Sequence, residues 1–215
     1  MAKLVIGTDK TVVMPAFVKE IQPVIPYPLL SRVKDDNNVE IGTVCGYHKD
    51  ANNQEYAVVV LDAQYRNSSG HYLSAAVEVT GLELLANQTL WENADTATSN
   101  CTKILDFIDG TEYTSSAVTH CRSKSFVIEG TTYYGQLPTI VELTDVFRHR
   151  TDINNADTSA SQYPSLVVPT STRTWSSSQY TSTYGWCVSS IGGGINGNPK
   201  NGVCFVLPIL EIPIQ

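Results

Sequence analysis

Histidine, cysteine and carboxylate side chains are the groups able to act on a substrate, and their spacing sets the first limits. The four histidines, His48, His71, His120 and His149, form neither H-x-x-x-H nor H-E-x-x-H, so no helix face presents a metalloprotease-type pair. His149 falls between Arg148 and Arg150, as expected for a solvated helix end. The five cysteines, Cys45, Cys101, Cys121, Cys187 and Cys204, include no C-x-x-C, which argues against a zinc ribbon or a thioredoxin-like motif. Free buried thiols are the expectation, and a Cys187–Cys204 bridge stays open if their strands are neighbours. No G-x-S-x-G elbow occurs. The run Gly192-Gly193-Gly194-Ile195-Asn196-Gly197 has no following Lys-Ser/Thr and lies between expected strands, so it reads as a turn, not a phosphate loop.

Two carboxylate groupings remain. Asp106 and Asp109 fit a solvated helix surface. Asp152, Asn154, Asn155 and Asp157 are hard oxygen donors of the kind Ca²⁺ takes, but they lack the D-x-D-x-D-G register, and turn chemistry explains them better. The expectation is therefore a non-enzymatic protein without a cofactor or metal. Its contacts are expected in the stretch from Thr158 to Tyr184, where roughly half the residues are Ser or Thr. Tyrosine there gives rigid amphipathic contact area and serine gives adaptable hydrogen bonds. Tyr163, Tyr180 and Tyr184, with Asn196, Asn198 and Asn201 of the following turn, are the expected recognition face. Trp175 and Trp186 are expected to pack in the core.

The elements that position these residues follow from composition and pattern. The chain has 215 residues, 42% hydrophobic and only 16% charged, with net charge −7. It can bury a core, and its acidic balance argues against nucleic-acid binding and against an electrostatic membrane anchor. No apolar run approaches the ~20 residues of a membrane span. Met1 to Thr11 hold only the short apolar run Leu4-Val5-Ile6, without a signal-peptide core, so either the protein is used without secretion or a signal has been trimmed, and the starting Met favours the first. A virion protein released by lysis would reach the exterior that way.

Residues 1–30 read as an extended proline-rich arm, and 31–215 as the body. Pro15, Phe17, Pro23, Pro26, Tyr27 and Pro28 mark the arm. Proline fixes φ and removes a donor, so this stretch is poorly helical. It lies against its own body, a sister subunit or a docking partner. In the body, 39–48 and 55–62 read as a hairpin around the turn chemistry of Asp50, Asn52 and Asn53. A short helical turn is plausible within 80–90. Cys101, Ile104, Leu105 and Ile108 give one helix face, capped by Thr98 or Ser99 and stopped by Gly110. A second helix covers Ser115 to Ser123. Thr139 and Glu142 form a capping box ahead of Leu143, Val146 and Phe147. Residues 151–173 read as loop. Short strands follow at 175–177, 185–189 and 203–207, the last two joined by a turn at Gly192–Gly194 and Asn196–Asn198.

Four features occur in order: Asn100-Cys101-Thr102-Lys103-Ile104-Leu105; Gln136-Leu137-Pro138-Thr139-Ile140-Val141-Glu142-Leu143; Trp175-Ser176-Ser177-Ser178; and Gly185-Trp186-Cys187-Val188 followed by Val206-Leu207-Pro208. Over about 38–212 this order resembles the Fibrobacter-type major paralogous domain family. Ile41-Gly42-Thr43-Val44 and Leu61-Asp62-Ala63 are similar to that family's opening. Tyr134 or Gly135 stands where a tryptophan is usual, and Leu207 replaces the closing arginine, so no role of that arginine carries over. The resemblance implies an α+β, C-type-lectin-like domain with two or three short helices, a small twisted antiparallel sheet and long loops. It also implies display and binding without catalysis. The calcium–sugar motifs of true lectins are absent. The expectation is a phage virion surface protein (head fibre, tail fibre or capsid decoration). It would be a homo-oligomer, a trimer favoured, docked through its arm and binding a host-surface receptor or glycan. The alternative is a bacterial cell-surface adhesin.

Overall fold

Glu40–Lys49 and Glu55–Leu61 form the hairpin that the sequence predicts, in a computed structural model describing residues 3–5, 11–13, 26–66, 70–73, 96–111, 114–169, 172–181, 183–189 and 194–214. The Asp50 carboxylate closes the turn by accepting from the backbone N–H of Asn52 at 2.8 Å and of Gln54 at 2.9 Å. In chain order the strands are β1 (Lys3–Val5), β2 (Thr11–Val13), β3 (Arg32–Lys34), β4 (Glu40–Lys49), β5 (Glu55–Leu61), β6 (Ser125–Ile128), β7 (Thr131–Tyr134), β8 (Arg173–Gln179), β9 (Tyr184–Ser189), β10 (Ile195–Pro199) and β11 (Ile209–Ile214). The helices are α1 (Ala97–Ile108), α2 (Ser116–Arg122), α3 (Ile140–Arg148) and α4 (Arg150–Ala156). The architecture is α+β, and among the described residues the strand ladders are all antiparallel.

The main sheet has the order β11-β5-β4-β3. β5 is central, which explains its unbroken apolar run Ala57 to Leu61. Val58 and Val60 face a cluster with Ile140, Leu143 and Val146 of α3, while Ala57, Val59 and Leu61 face one with Ile128 and Leu210. A strand buried on both faces cannot alternate polar and apolar residues. A second sheet, β10-β9-β8, shares its core with α1 and α2 through Trp175, Cys187, Ile104 and Val118.

α3 carries the predicted capping box. Thr139 N–H donates to Glu142 Oε2 at 2.7 Å, and Glu142 N–H donates to Thr139 Oγ1 at 3.3 Å. The α1 cap is corrected to Thr96, which accepts from Ser99 N–H at 3.1 Å. Thr98 and Ser99 are already helical, and the Glu211 carboxyl of β11 accepts from the N–H groups of Ala97 and Thr98 at 2.9 and 2.8 Å. Gly110, with φ +70°, follows the end of α1 in the left-handed conformation that glycine allows.

Three further expectations are corrected. Residues 150–156 are helical, not loop: Ile153 is buried and Asp157 tethers the following turn, overriding weak local propensity. Residues 195–199 pair with β9 as a strand instead of turning. The run Val203 to Leu207 is mostly buried but forms no ladder. Cys204 bridges to His71 and Phe205 to Thr174, and the last paired strand is β11. The helical turn expected within 80–90 lies outside the described residues.

Glu142 and Glu211 meet beneath the starts of α1 and α3. Burial first, then the charge of Glu211, pushes the Glu142 carboxyl well above the ordinary carboxylate range. Its Oε1 is buried and no neighbour donates to it. A proton on Oε1, shared with Glu211, satisfies both groups. Because the folded-state pKa is raised, this contribution to stability is complete below the ordinary carboxylate range. It is lost as pH rises through the folded value. Stability from urea unfolding should therefore decline as pH rises above the ordinary carboxylate range. Glu142→Gln, which supplies a permanent donor, should flatten that fall. A variant that keeps the wild-type slope would refute the shared proton.

Candidate functional site

The β8–β10 sheet builds an exposed aromatic shelf. β9 pairs with β10 so that Trp186 stands opposite Gly197, and Tyr184 opposite Pro199. Period-two alternation puts these four residues on one face. Trp186 rests partly on the cluster under α3, and the Tyr180 ring stacks on it with centroids 4.2 Å apart and planes at 44°. The Tyr180 ring also lies over Gly197, where an added Cβ would stand 2.3 Å from its Cδ1. Only glycine at 197 leaves room for the ring.

The turn between β8 and β9 fixes both tyrosines. Tyr180 N–H donates to Tyr184 O at 2.9 Å, and Tyr184 N–H donates to Thr181 Oγ1 at 3.1 Å. Tyr180 remains 47% exposed and Tyr184 39%. An exposed ring held by a second ring beneath it is pre-ordered for contact and loses little freedom on binding.

The other expected site residues divide. Asn196 and Asn201 are exposed, but Asn196 stands opposite Cys187 and so on the other face of the sheet from Trp186 and Gly197. Asn198 turns inward: it accepts from Arg173 Nη1 at 2.7 Å and donates to Cys204 Sγ at 3.3 Å, a structural link under the sheet. Tyr163 is exposed next to the 3₁₀ turn Pro164–Leu166, which packs on Ala63–Tyr65. The serines Ser176, Ser177 and Ser178 are fully buried. Ser177 Oγ accepts from Asn100 Nδ2 at 3.2 Å and Ser178 Oγ accepts from Ile140 N–H at 3.0 Å, so they tie α1 and α3 to β8 instead of forming a contact surface.

No protein-family model matches the chain, and no curated protein matches it.

At the arm, Pro15, Phe17 and Pro23 lie outside the described residues. Pro26 and Pro28 are exposed, and Tyr27 packs on the outer face of the main sheet. Tyr47 Oη donates to Tyr27 O at 2.8 Å. Burial, with Glu129 alongside, pushes the Tyr27 phenol up to about 12. A cavity of about 500 Å³ opens beside it, lined by Pro26, Tyr27, Tyr133, Ile212 and Pro213 among others. Among the described residues, no helix is long and apolar enough to cross a membrane.

The candidate calcium donors do not converge. Asp157 points inward and accepts from Ala63 N–H at 2.7 Å, while Asn154 brackets the Val168 backbone. Asp152 and Asn155 are exposed. All five cysteines are free and buried. Burial pushes the Cys101 thiol up to about 12 and raises those of Cys45 and Cys121. Cys187 is held below the usual thiol value by its hydrogen bond with Cys204, but both are buried. Buried, protonated thiols react slowly. A thiol reagent should leave the native protein unlabelled over minutes and label all five cysteines in guanidinium. Rapid labelling of one thiol in the native state would point to nucleophilic chemistry instead.

Proposed function

We propose that this chain is a non-enzymatic binding protein of a virion surface, of the head-fibre, tail-fibre or capsid-decoration kind. The Tyr180–Trp186 stack carries the reading. It is a rigid, exposed, uncharged aromatic surface continued on the same face by Tyr184, which suits the apolar face of a sugar ring, with the tyrosine hydroxyls available to the sugar's own. The low charge and the family resemblance support the same reading. The α+β fold is read as C-type-lectin-like: α1 and α2, a small antiparallel sheet and irregular connections are the features in favour. Pro15, Phe17, Pro23, Pro26, Tyr27 and Pro28 form the docking arm in this proposal. It joins the body to other virion proteins, within a symmetric homo-oligomer, a trimer by preference.

A glycan microarray probed with the full chain and with Tyr180→Ala tests the binding role. Saturable signals that vanish in the variant, with its melting temperature unchanged, are the expected result. Equal signals from both proteins would reject the shelf as the binding surface.

A further inference from the structure

His71 and His120 meet in a site that the aromatic shelf does not use. His71 lies in the segment 70–73, where its backbone exchanges hydrogen bonds of 2.8 and 2.9 Å with Cys204. Its carbonyl also accepts from Trp175 Nε1 at 2.8 Å, so the segment is anchored in the core. His120 stands in the last turn of α2. The two rings lie 4.8 Å apart at an angle of 33°.

The Nε2 atom of each ring is buried and has no hydrogen-bond partner. His71 is only 7% exposed, so water does not solvate it freely. Each ring has one backbone partner, Ser116 for His71 and Tyr65 for His120. Since Nε2 is the unpartnered nitrogen, that contact runs through Nδ1. Two unpartnered Nε2 atoms are thus buried on rings in contact with each other, an arrangement that costs stability unless something satisfies them.

A shared proton is a poor candidate. Burial holds both imidazoles below the ordinary histidine range, and His71 and Lys124 add to the effect at His120, which falls to about 4. Among the described residues a bridging water would find these two acceptors, the low end of the roughly two to four partners that a buried water takes. A metal ion asks for what is present: neutral imidazoles, each with its second nitrogen fixed by the backbone.

We propose that His71 and His120 bind a divalent transition-metal ion, of the zinc, nickel or copper class, through their two Nε2 atoms. Imidazole nitrogen sits ~2.0–2.1 Å from zinc, so two rings sharing an ion keep their centroids within roughly 6 Å. The observed 4.8 Å meets that limit. Among the described residues no third His, Cys, Asp or Glu completes the set. Water takes the remaining positions, reached past the partly exposed His120. Nitrogen donors select these ions over calcium and magnesium. The bound ion would staple segment 70–73 to the end of α2. The site stands or falls independently of the binding role of the shelf.

The test uses the full chain, stripped with EDTA and dialysed, titrated with zinc chloride and nickel chloride at neutral pH. Saturation at one ion per chain and a rise in melting temperature that EDTA reverses are expected. His120→Gln and His71→Gln should each weaken binding by more than about tenfold, since even outer-shell changes cost that much. Copper(II) EPR should report two nitrogen ligands in the wild type and one in His120→Gln, a readout that a fold defect alone does not produce. His149→Gln should bind as the wild type does. An unsaturable wild type, or undiminished binding in both His71→Gln and His120→Gln, would overturn the site.

Discussion

Trp175→Ala should lower folding stability by about 3–5 kcal/mol, the usual loss for truncating a buried aromatic. The indole is fully buried among Leu73, Ile104, Leu137 and Cys187, where α1, α2 and the β8–β10 sheet meet. Its Nε1–H donates to His71 O at 2.8 Å, so truncation removes a buried hydrogen bond as well as packing. Trp175→Phe should lose markedly less, because the ring refills most of the space and His71 O still accepts from Cys204 N–H. Urea unfolding midpoints of the three proteins measure both. A loss below about 1 kcal/mol for Trp175→Ala, the scale of an ordinary substitution, would contradict the placement of this indole in the core.

Asp157→Ala should be comparably damaging, about 3–5 kcal/mol, because it breaks a buried charge pair from one side. Arg66 is buried, and desolvation pulls its guanidinium down to about 10 while Asp157 and Asp62 oppose the shift, so it stays charged at neutral pH. Asp157 Oδ2 lies 4.0 Å from Arg66 Nη2. The same carboxylate accepts from Ala63 N–H at 2.7 Å and from Ser159 N–H and Oγ at 2.9 and 2.7 Å. Removing it leaves buried donors unmet and the guanidinium without that counter-charge. Asp157→Asn keeps an acceptor and should fall between the two. If Asp157→Ala and a surface change such as Asp106→Ala shift the urea midpoint equally, the network does not hold α4 to the 3₁₀ turn at Ala63–Tyr65.

The legible parts of the sequence were those whose causes are local. The capping box of α3 is written in Thr139 and Glu142, and the β4–β5 turn in Asp50 and its neighbours. α1 shows its apolar period, although its cap and its acidic partner, Glu211, lie outside the pattern. α4 was hidden because Asp152, Asn154 and Asn155 are weak helix formers, and a tertiary contact, Ile153, decides the outcome. β10 was hidden because Asn, Gly and Pro read as turn residues, although an edge strand tolerates them.

The candidate site was partly legible for the same reason. The composition around Tyr180 and Tyr184 announced exposed aromatics. It gave no sign that Trp186 lies beneath Tyr180, that Gly197 makes room for the ring, or that Asn198 turns inward to Arg173. Nor did spacing signal the meeting of His71 and His120, which lie on separate elements and come together only through the packing of α2 on segment 70–73.

Surface plasmon resonance on immobilised bacterial surface polysaccharide, comparing the wild type with Tyr180→Ala and Tyr163→Ala, puts the central proposition to trial. Loss of one well-placed aromatic should weaken binding by about tenfold or more, so Tyr180→Ala should bind at least that much more weakly while Tyr163→Ala matches the wild type. Equal affinity of all three would contradict the account: contact would then be made elsewhere than the ring that Trp186 supports.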